Sequence, residues 1–377
     1  MSGENDWHAA WAEIHLDRLA HNLRLLGELA DGAPLWPVVK SNAYGHGAVA
    51  VARAIEALGY ETLCVARVSE ALELREAGIR SRIVLLSADF PEEADTIAAH
   101  GLEPAVCRSD VIDALADAAE GAGHAVAVHV KVDTGMGRAG IPPDEAPAFL
   151  ASVRDRAGLQ LRGLMSHFPR ADEGDPDYSA AQLERFLGVV RPARRGGTLL
   201  AHMANSAAVF DVPGASLDAV RPGISIYGLR SSPRVANPRA GGLRPVLEWK
   251  ARIALLRELP AGRGISYGHT FRTERPSLIA TVPMGYGDGL PRRLSNRLEL
   301  LVGGRRCRQV GTITMDQLMV DVTDLRGRVQ TGDEAVLIGE QHGAVATADD
   351  LAATLETINY EVVTAISSRT SRVYRGG

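Results

Sequence analysis

An apolar run, LWPVVK, ends at Lys40 and gives way to SNAYGHG. A lysine in that place can serve as a cation, a salt-bridge partner or an amine nucleophile, and its company decides between them. Other polar residues also close short apolar runs. Lys131 and Arg138 lie in VKVDTGMGRAG, and His167 follows RGLMS. His202, Asn205 and Ser206 lie in HMANS, and Arg221 and Gly223 in RPGIS. Each alone would pass as an ion pair or a satisfied core group; together they describe a polar pocket. A lysine desolvated beside other cations has its pKa pushed down and can form a Schiff base with a carbonyl. Glycines and hydroxyls at strand ends and helix starts, as in ANSAA and RPGIS, supply donors for a phosphate. An amine and a phosphate cradle in one pocket suggest pyridoxal phosphate.

The elements that must position these residues follow an alternating pattern. Strand-like runs occur at 35–40, 61–66, 82–87, 102–107, 125–133, 159–168, 198–206 and 217–228. Segments of helical periodicity separate most of them, among them SEALELREAG and DVIDALADAAEGAG, which end in glycine. Eight strands alternating with helices fit an α/β fold of the (β/α)8 TIM-like barrel type. A doubly wound open sheet gives the same local pattern. Chemistry in such barrels sits at the C-terminal ends of the strands, where the polar residues fall. Near residue 240, SSPRVANPRAGGLRP reads as a linker. Beyond it VLEWKARIALLREL, SLIATVPMGY and DEAVLIG read as strands, with one convincing helix at TADDLAATLETI. The expected domains are therefore a barrel at 12–240 and a β-rich domain at 241–377, with a contribution to the latter from 1–11. The segment WAEIHLD at 11–17 alternates like a strand that either joins the β-rich domain or crosses the barrel mouth.

Composition limits the function classes. A chain of 377 residues with net charge −5 has no basic footprint for nucleic acid. Its three cysteines, Cys64, Cys107 and Cys307, lack metal-ligand spacing, so no metal site is expected and a reduced cytoplasmic setting is the simple reading. The N-terminus carries acids rather than a basic leader. No stretch reaches the ~18 apolar residues of a membrane span.

VVKSNAYGHG resembles the cofactor-lysine motif of the alanine racemase family. VKVDTGMGRAG, HMANSAA, RPGISIYG, ISYGHTF, PMGYGDGLPRRLSN, GTITMDQLMVDV and INYEVVTAISSR resemble further motifs of that family, in its order along both domains. The resemblance implies a pyridoxal 5′-phosphate barrel followed by a β-domain in a homodimer with shared active sites, interconverting L- and D-alanine and so supplying D-alanine. It implies that Lys40 holds the cofactor and acts as one base, with Tyr267 from the partner chain as the other. Two bases on opposite faces suit a reaction that removes a proton from one side of a carbon and returns it to the other. A tyrosine needs nearby cations to act so at neutral pH; His167 and Arg221 match the residues that supply them. Arg221, which cannot accept the ring nitrogen's proton, also favours prompt reprotonation over transamination.

By the same resemblance Tyr44, Ser206, Tyr360 and the backbone of Gly223 and Ile224 hold the phosphate. Arg138 and the Met315 backbone meet the substrate carboxylate, Lys131 matches a lysine carbamylated in many members, and His202 matches a pocket histidine without an assigned step. Asp172, Tyr286 and Thr312 match the entrance to the pocket. There the chain departs from the pattern: Thr312 replaces the usual arginine, Thr314 the usual cysteine, and Asn359 a frequent proline. Serine or a larger amino acid therefore stays open as substrate beside alanine. A basic amino-acid decarboxylase would share both domains and the cofactor, but Tyr267 and the MDQ motif favour a racemase. A non-catalytic cofactor carrier would not need the β-domain, and a cofactor-free aldolase would leave the phosphate cradle unexplained.

Overall fold

The computed structural model describes residues 7–377; of the segment 1–11 expected to join the second domain, positions 1–6 lie outside the described residues. The chain divides into two compact units. One is Arg18–Arg244, and the other is Pro245–Gly377 with the N-terminal segment through Asp17. These limits fall a few residues beyond the 12 and 240 read from sequence. Ala10–His15 (β1) pairs in parallel with Ser371–Arg375 and antiparallel with a strand at Leu247–Arg252, so the WAEIHLD strand belongs to the β-rich unit's sheet.

In the first unit six parallel strands run in sequence order: Thr62–Val65 (β2), Arg82–Leu85 (β3), Leu102–Val106 (β4), Val126–Lys131 (β5), Leu159–Met165 (β6) and Leu200–His202 (β7). The stretches expected as first and eighth strands form single bridges instead. Pro37 and Pro222 each remove a backbone donor there, which interrupts a ladder. The ring closes nonetheless. Trp36 N donates to Val220 O at 2.8 Å, Val38 N to Pro222 O at 3.0 Å and Val39 N to Cys64 O at 2.8 Å, while Ala219 bridges to His202. These contacts complete the eight-segment parallel barrel and distinguish it from an open sheet. Burial on both faces explains why β2 continues as Leu63, Cys64 and Val65 without the polar alternation of a half-exposed strand. The helices lay one apolar stripe on the barrel. Ser109–Ala122, for example, buries Val111, Ile112, Leu115, Ala118 and Ala119.

In the second unit β1 lies between Leu247–Arg252 and Ser371–Arg375, in a sheet that continues through Glu334–Gln341 to Glu299–Val302 and Arg305–Arg308. A three-stranded sheet joins Leu255–Leu259, Ser277–Val282 and Leu318–Asp321. Beside it a short hairpin pairs Gly264–Ile265 with Phe271–Arg272. Ile265, Ile279 and Val310 form a buried cluster, against which Leu259, Phe271 and Met319 pack. That cluster fixes both arms of the hairpin and so places its tip, Tyr267–His269. Among the described residues no helix is long and apolar enough to cross a membrane.

Candidate active site

Lys40 stands where the first barrel segment ends, and the chain then makes a left-handed turn. Ser41, Asn42, Ala43 and Tyr44 all have φ between 52° and 53°. Left-handed helical geometry costs an L-residue with a Cβ about 1–2 kcal/mol, so four in succession need support. Glu70 bridges the turn to the end of β2: its Oε1 accepts from Ser41 N at 2.6 Å, and its Oε2 from Ala66 N at 2.8 Å. Asn42 Oδ1 accepts from Ala48 N at 2.8 Å. His46, fully buried and stacked on Tyr227, places Nδ1 at 3.0 Å from Ala43 O and 2.8 Å from Tyr44 O. These bonds hold Lys40 at the strand end and turn Tyr44 inward, where it packs against Tyr227.

Cations crowd this end of the barrel. Burial and then the Arg138 guanidinium lower the Lys40 pKa, which Glu70 opposes. Lys131, on the last position of β5, is lowered by burial and Arg138 as well, and its Nζ donates to Leu86 O at 3.2 Å. Burial, followed by Arg221, Arg138, Lys40 and Lys131, holds His167 neutral, well below its ordinary value. The loop carrying Arg138 is shaped by Asp133, whose Oδ1 accepts from Gly135 N at 2.9 Å and Met136 N at 2.8 Å. The barrel unit thus assembles Lys40, Tyr44, Lys131, Arg138, His167, His202, Ser206, Arg221, Gly223 and Ile224 at the C-terminal ends of its strands. Asp172 lies half-buried in the segment after His167, its carboxyl raised by burial.

The donors suited to a phosphate are built into one corner. Ser206 Oγ accepts from Gly223 N at 2.9 Å and Ser225 N at 3.3 Å, so its own proton is free to donate elsewhere. A Cβ on Gly223 would collide with Tyr44 Oη and lie 3.0 Å from its Cζ. Only glycine lets the backbone come this near the phenol. Burial pushes the Tyr44 pKa up and keeps the hydroxyl a donor.

Arg221 is fully buried, and burial lowers its pKa to about 10. Its guanidinium donates from Nη2 to Ser166 O at 2.7 Å and Met203 O at 3.3 Å, and from Nη1 to His202 Nδ1 at 2.6 Å. No hydrogen bond joins it to His167. His202 Nε2 lies 2.9 Å from His129 Nδ1, and His129 Nε2 lies 3.2 Å from Glu103 Oε2. Arg82 grips Glu103 with two bonds of 2.8 and 2.6 Å. Glu103, His129 and Arg82 escaped the sequence reading. One signal was there: His129 lies two residues before Lys131 on β5 and shares its inward face.

The remaining candidates lie in the β-rich unit. Tyr267 at the hairpin tip is 72% exposed, Met315 51% and Tyr286 43%. Backbone bonds tie them into one surface: Tyr286 N donates to Thr314 O at 3.0 Å, and Gly287 N to Met315 O at 2.9 Å. Thr312, expected at an entrance, is buried. Its Oγ1 donates to Tyr267 O at 2.8 Å, while Ser266 Oγ donates to Thr312 O at 2.6 Å. Tyr360 lies on the short helix Asn359–Thr364.

Residues 14–231 match the family model described as alanine racemase, N-terminal domain, and residues 246–374 match that of the alanine racemase C-terminal domain. Among curated proteins, the chain is 43% identical over 368 residues to an alanine racemase of Halothermothrix orenii, covering 97% of this chain and 96% of that one. It is 40% identical over 367 residues to one of Clostridium novyi, covering 97% and 95%. Among solved structures, the alanine racemase from a D-cycloserine-producing Streptomyces lavendulae superposes with a TM-score of 0.92 at 39% identity, covering 99% of this chain and 98% of that one.

Proposed function

Because this chain belongs to the alanine racemase family, a family of isomerases, we propose that it interconverts L- and D-alanine with pyridoxal 5′-phosphate, as a cytoplasmic homodimer with shared sites. The observation that carries this reading is a half-buried strand-end amine, Lys40, beside Arg138, in the same barrel mouth as the Ser206–Gly223 cradle. The residues fit the cofactor. Ser206 has a proton to give, Gly223 leaves no room for a Cβ beside Tyr44, and Arg221 uses three of its N–H donors internally. Tyr44, Ser206, Tyr360 and the N–H groups of Gly223 and Ile224 would hold the phosphate, with Arg221 at the ring nitrogen and Lys40 at the carbonyl carbon.

When bound, the cofactor supplies the electron sink that acidifies an amino acid's α-hydrogen. The chain supplies everything else. Lys40 Nζ, its basicity trimmed by burial and Arg138, takes or returns a proton on one face. Tyr267 Oη of a second copy serves the opposite face; the exposure of Tyr267 and Met315 on one β-unit surface supports delivery to another chain. Arg138 and the Met315 backbone of that copy hold the carboxylate, a pairing natural to a guanidinium. Arg221 has donors and no acceptor, so it leaves the ring nitrogen unprotonated and favours return of a proton to the carbon that lost it. His167, half-buried and held neutral, is not the cation expected from sequence; the positive field that makes a phenol more acidic comes from the groups that keep it neutral, Arg221 and Arg138 first.

Mixing tests the shared site. Lys40→Ala and Tyr267→Phe chains should each be inactive alone and regain racemisation after subunit exchange, since one site of each mixed dimer then holds both native residues. Exchange demonstrated by mass spectrometry without any return of activity contradicts the proposal.

A further inference from the structure

The bonds below Arg221 have a direction. A guanidinium has only donors, so His202 Nδ1, 2.6 Å from Arg221 Nη1, must be bare. A neutral imidazole then carries its proton on Nε2, and that N–H points at His129 Nδ1, 2.9 Å away. His129 Nδ1 must in turn be bare, which leaves Nε2–H to donate to Glu103 Oε2 at 3.2 Å. Protonating either ring would set a donor against a donor. Glu103 closes the chain as an ionised acceptor paired with Arg82.

The surroundings are built around this arrangement. Both imidazoles are wholly buried. Trp36 covers them, its ring 4.7 Å from His202 and 5.8 Å from His129. On the other side a Cβ at Gly163 would lie 2.6 Å from His129 Nδ1 and 3.0 Å from Leu200 O, so the His129 ring occupies the space of the missing side chain. The other titratable groups acting on the chain are Arg162, which disfavours charge on His129, and Cys64, a thiol pushed up to about 12 and therefore neutral.

We propose that Glu103 and His129 are positioning residues for Arg221. They lock His202 in the one state that accepts from the guanidinium, and so hold Arg221 in place where the barrel strands end. The catalytic consequence rests on the racemase reading above; the protonation pattern does not. Without an acceptor at position 103, His129 Nε2–H is an orphan in the core and the pair can reverse. His202 would then turn an N–H against Arg221 and displace it.

Nitrogen NMR of histidine-labelled protein, with and without pyridoxal 5′-phosphate, tests this directly. In the native protein, His202 and His129 should both be neutral with the proton on Nε2. Glu103→Leu should mix the tautomers of both rings and lower kcat about tenfold, the worth of one charged hydrogen bond, with KM within about twofold. Glu103→Gln keeps an acceptor and should retain the native tautomers and recover most of kcat. An imidazolium or an Nδ1–H at His202 in the native protein, or native tautomers in Glu103→Leu, overturns the proposal. Should the leucine variant not fold, the native and glutamine spectra decide. An inactive protein with the expected tautomers would refute the racemase reading alone; a racemase with a reversed His202 would refute this inference alone.

Discussion

Glu103 gives the chain a pH-dependent stability that can be worked out in advance. Although burial opposes it, hydrogen bonds from Arg82 and His129 hold the Glu103 carboxyl at about 2, against an ordinary 4.5. A carboxyl lowered on folding stabilises the native state above its unfolded value and loses that contribution as pH falls through the folded one. The difference amounts to about 3 kcal/mol at pH 7, falling to roughly half that at pH 3 and to little at pH 2. Glu103 is 10% exposed, so solvent screens the pair weakly, whereas Arg82 is 37% exposed and can turn to water when its partner is neutral. Glu103→Gln should therefore lower urea-unfolding stability by up to about 3 kcal/mol at pH 7, with a gap that narrows steadily below pH 4.5. Trp36 fluorescence is a suitable probe, because its ring lies against both histidines of the chain. Glu248, also held at about 2 through burial offset by bonds to His15 and Lys250, titrates in the same range in the other unit. The native-minus-variant difference cancels it. A gap that stays constant from pH 7 to pH 3, or none at pH 7, would refute the reasoning.

Two further outcomes follow from the pocket. Gly223→Ala should weaken pyridoxal 5′-phosphate binding about tenfold or more in an absorbance titration. The added methyl meets a Tyr44 ring that Tyr227 keeps from withdrawing, and overpacking of this kind costs about 1–3 kcal/mol. Lys131, its amine made less basic by burial and Arg138, should react with carbon dioxide as the family pattern implies. Carbon NMR in labelled bicarbonate should show a carbamate that disappears in Lys131→Ala; native protein without that signal contradicts the assignment.

The barrel was legible because its strands are short apolar runs separated by helical periodicity, and Lys40, His167 and Arg221 stood out as polar residues at their ends. The left-handed turn was not legible. Asn42 tolerates that geometry, but Ala43 and Tyr44 ordinarily avoid it, and what holds them there is Glu70, 29 residues from Ser41. Pro37 and Pro222 hid the seam of the barrel, since a strand lacking regular donors still closes the ring through its neighbours' N–H groups. Glu103 and His129 were passed over for a related reason. Period-two alternation gives the face on which a residue sits, but a bond between strands depends on register, which the apolar pattern alone leaves open. At Thr312 the missing arginine drew attention to the entrance, while the threonine itself supports Tyr267 through a backbone bond that side-chain chemistry does not announce.

The central claim is racemisation by proton exchange at the α-carbon, and incubation of the cofactor-loaded protein with L-alanine in deuterated water tests it most directly. Optical rotation should decay to zero while the α-proton signal disappears, from either enantiomer. A protein that binds the cofactor, leaves both alanine enantiomers unchanged and releases carbon dioxide from L-lysine or L-ornithine would contradict the account.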